Sequence, residues 1–207
     1  MNRVRVYIDG FNLYHAIDKL GQPALKWLNI WKLCEQHLRQ GEALDRVNFF
    51  TAIWPYEQTK QRRHKNYLNA LRATGVTVHE GNFKKANRHC YQQDQYCPFR
   101  EEKQTDVAIA IEMVRDAIAG EAQRLILVTA DSDQVPTAKL LATMPGIAVT
   151  LIFPPGRAGE ARDLGNHITD RKELTVGQLL TCPLPRTVCD RAGNPVAHMP
   201  ALYQLRG

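Results

Sequence analysis

The chain has 207 residues, 44% of them hydrophobic and 23% charged, the make-up of a folded globular protein with room for one full core. No apolar run is long enough to span a bilayer, and the N-terminus lacks a basic-then-apolar signal pattern, so no membrane role is expected and Met1 is expected to open the mature protein in the cytoplasm. The net charge of +6 favours a polyanionic partner, nucleic acid first, although an ordinary basic protein carries the same charge.

In chain order, residues 3–9 read as a strand: Val4, Val6 and Ile8 are β-branched, and the run ends in Asp9. Gly10 follows where the chain must turn, and a helix is expected over 11–20 until Gly21-Gln22-Pro23 breaks it. Asn29 reads as the cap of a second helix over 30–39. A second strand is expected over 46–53 and a basic helix over 57–73, with Arg62, Arg63, His64 and Lys65 on its exposed side. A third strand follows at 75–79. Residues 82–103 read as a long loop in which Lys84, Lys85, Arg88, Arg100 and Lys103 alternate with Phe83, Tyr91, Tyr96 and Phe99. Such a loop in a compact domain is usually functional or disordered.

A helix over 107–119 leads to a continuous apolar strand at 124–129, as a buried parallel strand should be, ending at Asp131-Ser132-Asp133. A helix over 134–144, a fifth strand over 147–153 and a short helix over 161–167 complete the pattern. Strands alternating with helices make an α/β protein with a parallel sheet and right-handed crossovers. The tail changes character: Cys182-Pro183-Leu184-Pro185 is rigid, and Arg191-Ala192-Gly193-Asn194-Pro195 reads as a hairpin turn. We therefore expect a domain over 1–175 and a small C-terminal hairpin appendage over 176–207 packed on it.

With a strand order 3-2-1-4-5, the crossover direction reverses between the first and fourth strands, and ligands bind in such a crevice at the strands' C-terminal ends. Asp9, Asp106, Asp131 and Asp133 would then converge there from three segments. Like charges so close need protonation or a cation, and oxygen-only ligands point to Mg²⁺ or Mn²⁺. Such an ion can activate water and stabilise charge on a phosphoryl group. Asn12 would offer an amide oxygen or orient water. Taken singly, each acid has a plainer reading as a helix cap.

These residues carry a resemblance. Ile8-Asp9-Gly10-Phe11-Asn12-Leu13 resembles the opening motif of the NYN domains, the LabA-like branch of the PIN-like nucleases. The stretches 102–110, around Thr105-Asp106, and 129–136, Thr129-Ala130-Asp131-Ser132-Asp133-Gln134-Val135-Pro136, are similar to the central and third motifs. Ala130 stands where glycine is commoner, and Gln134 where a bulkier apolar residue is. The resemblance spans residues 1 to about 175 and implies a PIN-like (Rossmann-like) three-layer α/β/α sandwich and metal-dependent cleavage of RNA. It implies metal-site roles for Asp9, Asp106 and Asp131, with Asp133 and Asn12 in support. Glu112 falls where the family often has another acid, and its role is open.

The reading that follows is a Mg²⁺- or Mn²⁺-dependent endoribonuclease. Lys84, Lys85, Arg88, Arg62, Arg63 and Lys65 are its candidate phosphate contacts, and Phe83 or Tyr91 its candidate base-stacking side chains. A solvated basic face is the plainer reading of any one of them. The alternative is an RNA-binding or regulatory PIN-like module with weak or no turnover. A phosphatase or nucleotide-binding reading ranks last: Phe11 stands where a phosphoryl acceptor usually has a second acid, and no Gly-rich fingerprint follows the first strand. The cysteines are widely spaced, and reduced thiols are the default. Zinc binding by Cys90, Cys97, Cys182 and Cys189 would need the tail to fold against the long loop. Homo-oligomerisation is possible but not legible in the sequence.

Overall fold

The computed structural model describes residues 1–53, 56–90 and 95–204, and only the backbone of 84–90 and 95–103. The elements run β1 (Asn2–Asp9), α1 (Gly10–Lys19), a 3₁₀ turn (Pro23–Lys26), α2 (Ile30–Glu35), β2 (Glu42–Ala52), α3 (Gln58–Ala73), β3 (Thr77–Cys90), β4 (Gln95–Lys103) and α4 (Thr105–Ile118). They continue with β5 (Arg124–Val128), a 3₁₀ turn (Ser132–Gln134), α5 (Val135–Ala142), β6 (Ala148–Phe153), α6 (Arg162–His167), β7 (Asp170–Glu173), α7 (Val176–Leu180), β8 (Thr187–Cys189) and β9 (Pro195–His198).

Among the described residues, one seven-stranded sheet has the order β4-β3-β2-β1-β5-β6-β7. Its strands are parallel except β4, which pairs antiparallel with β3. The segment β3-β2-β1-β5-β6 is the order expected from the sequence. β1 is central and buried on both faces. Its Val4, Val6 and Ile8 pack with Leu13 and Ile17 of α1, Leu33 of α2, Leu68 and Leu71 of α3 and Leu179 of α7. On the opposite face Tyr7 packs with Ile109 and Met113 of α4, Leu141 of α5 and Leu164 of α6. The period-2 alternation of β1 thus serves two helical layers, giving an α/β/α sandwich. Each fully buried Leu or Ile contributes about 1.5–3 kcal/mol.

A buried ionic cluster fixes α4 against β1. The Tyr7 hydroxyl donates to the Asp116 carboxylate at 2.6 Å, and Arg5 reaches the same carboxylate at 3.0 Å, Asp45 at 2.6 Å and Glu121 at 3.0 Å. Burial alone would raise the Asp116 pKa, and the bonds from Tyr7, Arg5 and Arg115 outweigh that effect and lower it. These bonds also position the helix whose first turn carries Asp106.

The structure departs from the sequence expectation in three places. Residues 82–90 and 95–103 pair as antiparallel strands, with Asn82 paired to Lys103 and Cys90 to Gln95. Polar and charged residues on both faces conceal the alternation that marks a strand, and Pro98 is compatible with β4 as the sheet's edge. β7, four residues long, extends the sheet beyond β6. The second helix ends at Glu35, and β2 begins already at Glu42.

The tail hairpin is as expected. β8 and β9 pair antiparallel, and the Asp190 carboxylate accepts from the backbone N–H of Ala192 and Asn194 at 2.9 and 2.8 Å across the turn. Leu184, Val188, Ala197 and Tyr203 pack on Trp27 and on Ala70 of α3.

Candidate metal centre

The C-terminal end of β1 meets the segment after β5, and α4 begins beside them. One carboxylate oxygen from each of Asp9, Asp106 and Asp131 lies within 4.8 Å of the others. Asp9 is buried, and the other two are half-buried. Asp133 is not part of this group, and its side chain is exposed.

Capping and convergence coexist. Asp9 caps α1, its Oδ1 accepting from the Asn12 N–H at 2.9 Å, while the Thr129 hydroxyl donates to Oδ2 at 3.0 Å. Asp131 caps the following 3₁₀ turn by accepting from the Asp133 N–H at 2.9 Å. A carboxylate has about four lone-pair sites, so one or two such bonds leave room for a further ligand. Gly10 is needed for space: a Cβ there would lie 2.6 Å from both the Phe49 ring and the Phe50 carbonyl oxygen. The turn expected at Gly10 is instead the first residue of α1, without a positive φ.

Asn12 acts as a strut. Its side-chain oxygen accepts from the Ala130 N–H at 3.1 Å and so ties α1 to the loop carrying Asp131. Thr129 and Gln134 are supporting residues that sequence reasoning did not single out for a role. Thr129 accepts from the Asp131 N–H at 3.1 Å while donating to Asp9, linking the Asp9 carboxylate to the Asp131 backbone through one hydroxyl. Gln134, 1% exposed, donates to the Asp106 carbonyl oxygen at 3.0 Å, and its own amide oxygen has no partner among the described residues. A polar residue where an apolar one is commoner was the available signal for Gln134. For Thr129 it was a hydroxyl two residues before an acid at a strand end.

The electrostatics reflect crowding of like charge. Burial pushes Asp9 up to about 6; the bonds from Asn12 and Thr129 oppose this, and the charges of Asp106 and Asp131 add to it. Asp106 is also raised, by burial first and then by Asp131 and Asp133. Among the described residues no Lys, Arg or His forms an ion pair with any of the three acids. Three uncompensated carboxylates offering only hard oxygens fit a divalent cation such as Mg²⁺ or Mn²⁺.

The other expected contacts are spread more widely. Arg62, Arg63 and Lys65 lie in the first half of α3, Arg62 and Lys65 exposed. The Phe83 ring packs edge-on against Phe11 of α1, with centroids 5.6 Å apart. The side chains of Lys84, Lys85 and Arg88, and Tyr91 altogether, lie outside the described residues, as do the side chains of Cys90 and Cys97. Cys182 is buried, packed in the same core cluster as Cys34, whereas Cys189 is exposed.

The model of the NYN domain matches residues 3–172 of the chain. A curated relative, 6-hydroxy-3-succinoylpyridine 3-monooxygenase HspA of Pseudomonas putida (strain DSM 28022 / S16), is 25% identical over 231 residues, covering 91% of this chain and 72% of the relative. A solved structure, the protein of unknown function VPA0982 from Vibrio parahaemolyticus RIMD 2210633, superposes with a TM-score of 0.56 at 15% identity. That superposition covers 84% of this chain and 94% of the other, and the likeness is one of fold.

Proposed function

This chain belongs to the NYN domain family, and on that premise we propose that it is a metal-dependent endoribonuclease. The observation that carries the reading is the convergence of Asp9, Asp106 and Asp131 within 4.8 Å at the C-terminal edge of the sheet, without a cationic partner among the described residues. These three carboxylates would hold Mg²⁺ or Mn²⁺. When bound, the ion supplies Lewis-acid stabilisation of phosphoryl charge and a more acidic water.

The protein's own groups prepare that chemistry. Asn12 and Thr129 fix the relative positions of Asp9 and Asp131 before any ligand arrives. Gln134 holds the first turn of α4, and with it Asp106. Asp133 adds negative potential next to the cluster, as the rise in Asp106 reflects. Arg62, Arg63 and Lys65, together with Lys84, Lys85 and Arg88, serve as phosphate contacts, and Phe83 and Tyr91 as stacking surfaces.

Incubating the pure protein with labelled RNA and Mn²⁺ or Mg²⁺, beside a chelated control and the Asp9→Asn variant, tests this. Asp9→Asn should lose more than about 100-fold in cleavage, the upper end of what loss of a mere supporting partner costs. Equal background cleavage by both proteins sinks the enzyme reading, and tight RNA binding without cleavage moves the protein to the binding-module class. The curated relative suggests a second reading, oxygenation of a hydroxypyridine. Oxygen uptake with 6-hydroxy-3-succinoylpyridine, and no RNA cleavage, would favour it.

A further inference from the structure

The C-terminal edge of the sheet holds a second feature, beyond β5. A cleft of about 560 Å³ opens between α6 and β7, lined by Phe153, Arg162, Gly165, Asn166, Arg171 and Glu173. Its size is within the roughly 300–1,000 Å³ of small-molecule sites. Arg171 and Glu173 pair with Leu151 and Phe153 of β6 and share their face of the sheet. Lys172, between them, also borders the cleft, while strand alternation turns its side chain to the opposite face, where its charge helps to lower the pKa of His37.

Arg171 is pre-oriented: its guanidinium donates to the Gly165 carbonyl oxygen at 2.6 Å. The absence of a side chain at Gly165 makes room for it, since a Cβ there would lie 3.2 Å from the Arg171 Nη1. Among the described residues neither Arg162 nor Arg171 has a carboxylate partner. Arg5, Arg39, Arg115, Arg124 and Arg157, by contrast, are each paired with one. Two unneutralised guanidinium forks in a cleft are suited to a phosphate oxygen pair. The cleft also lies on the sheet edge that carries the acids. The β1–β5 gap and the β6–β7 gap are two strand spacings apart, about 10 Å.

We propose that this cleft is a phosphate-binding subsite for the substrate strand, in which Arg162 and Arg171 take a phosphodiester next along the chain from the one at the carboxylates. This rests on the ribonuclease reading above. Glu173 discriminates between sources of the phosphate. Its carboxylate repels a free phosphate dianion but accepts from a sugar hydroxyl, so the cleft suits a nucleotide unit within a strand.

The test uses the full chain with chelator, so that binding is read without cleavage. Fluorescence anisotropy follows a labelled single-stranded RNA against salt for the wild type, Arg162→Gln and Arg171→Gln. Each substitution should lower the slope of log K on log[salt] by about 0.7, and both together by about 1.4. Among the described residues the Arg162 side chain makes no hydrogen bond, so Arg162→Gln stays informative even if Arg171→Gln loosens α6. Unchanged slopes with normal RNA binding overturn the subsite while leaving the ribonuclease reading standing. Reduced slopes with no metal-dependent cleavage support the subsite and defeat the nuclease. Inorganic phosphate, titrated while the Arg162 and Arg171 Nε–H signals are followed by NMR, is the second arm. Tight phosphate binding with unchanged RNA slopes marks a small-anion site and overturns the strand proposal, as does a wild type that binds no RNA.

Discussion

Asp9 offers a test in which stability and function move in opposite directions. Its pKa stands at about 6 in the folded, metal-free protein against an ordinary 3.8. The folded state therefore holds the Asp9 proton more tightly than the unfolded state does. The stability associated with protonated Asp9 is fully present below pH 3.8 and is lost as pH rises through about 6. The shift of roughly 2 pH units amounts to about 3 kcal/mol of lost stability near pH 8. Asp9→Asn removes that charge but weakens one of two hydrogen bonds, at a cost of about 1 kcal/mol. The net gain is about 2 kcal/mol, or about 4–8 °C in Tm for a chain of this length. Near pH 4.5, where wild-type Asp9 is largely protonated in the folded state, the advantage should shrink to about zero. Differential scanning calorimetry of both proteins with chelator, at the two pH values, measures this. Saturating Mn²⁺ at 100 times its Kd should raise wild-type stability by about 2.7 kcal/mol and leave Asp9→Asn nearly unmoved. A variant advantage independent of pH, or equal stabilisation of both proteins by Mn²⁺, would refute the reasoning.

Three further outcomes are expected. Thr129→Val removes the hydroxyl that links Asp9 to Asp131 and should weaken Mn²⁺ binding about 10–100-fold in isothermal titration calorimetry, with the fold retained by circular dichroism. Gly10→Ala forces a methyl group into the Phe50 carbonyl and should cost about 1–3 kcal/mol in urea denaturation. His37 is buried, its Nε2 without a partner among the described residues, and burial, Lys172 and Arg124 lower its pKa from 6.5 to about 4. Its stabilising effect is present above pH 6.5 and lost as pH falls towards 4. His37→Leu should therefore flatten the fall in urea midpoint across that window, and an unchanged pH profile would contradict it.

The central strands were legible because buried parallel strands are continuous apolar runs and their terminal acids stand out against them. Val4, Val6 and Ile8 leading to Asp9, and the run from Leu125 to Val128 leading to Asp131, are of that kind. The sheet's margins were not. β4 is an edge strand whose sequence, QYCPFREEK, shows no clean alternation of apolar and polar residues, and the four residues of β7 carry no apolar side chain at all. Both elements are held by backbone pairing to a neighbour, an interaction that leaves little trace in local residue type. At the site, the three acids were visible as residue types at strand and helix ends. The bonds that join them were not, because Thr129 to Asp9 and Asn12 to Ala130 each span more than a hundred residues.

Helix cap and metal ligand, posed as alternatives for Asp9 by its position alone, are compatible in this geometry. A capping carboxylate at the end of a central strand is held by the N–H of the helix that follows, so its orientation is fixed by the backbone. Asp131 is fixed in the same way by its own turn, and Thr129 locks the two caps together. Fixed capping carboxylates face one another across the β1–β5 gap, and with Asp106 they accumulate charge that burial makes costly. The capping geometry would therefore preorganise a metal site: the candidate ligands are already ordered, and the energy stored in their repulsion is what a divalent cation would release on binding.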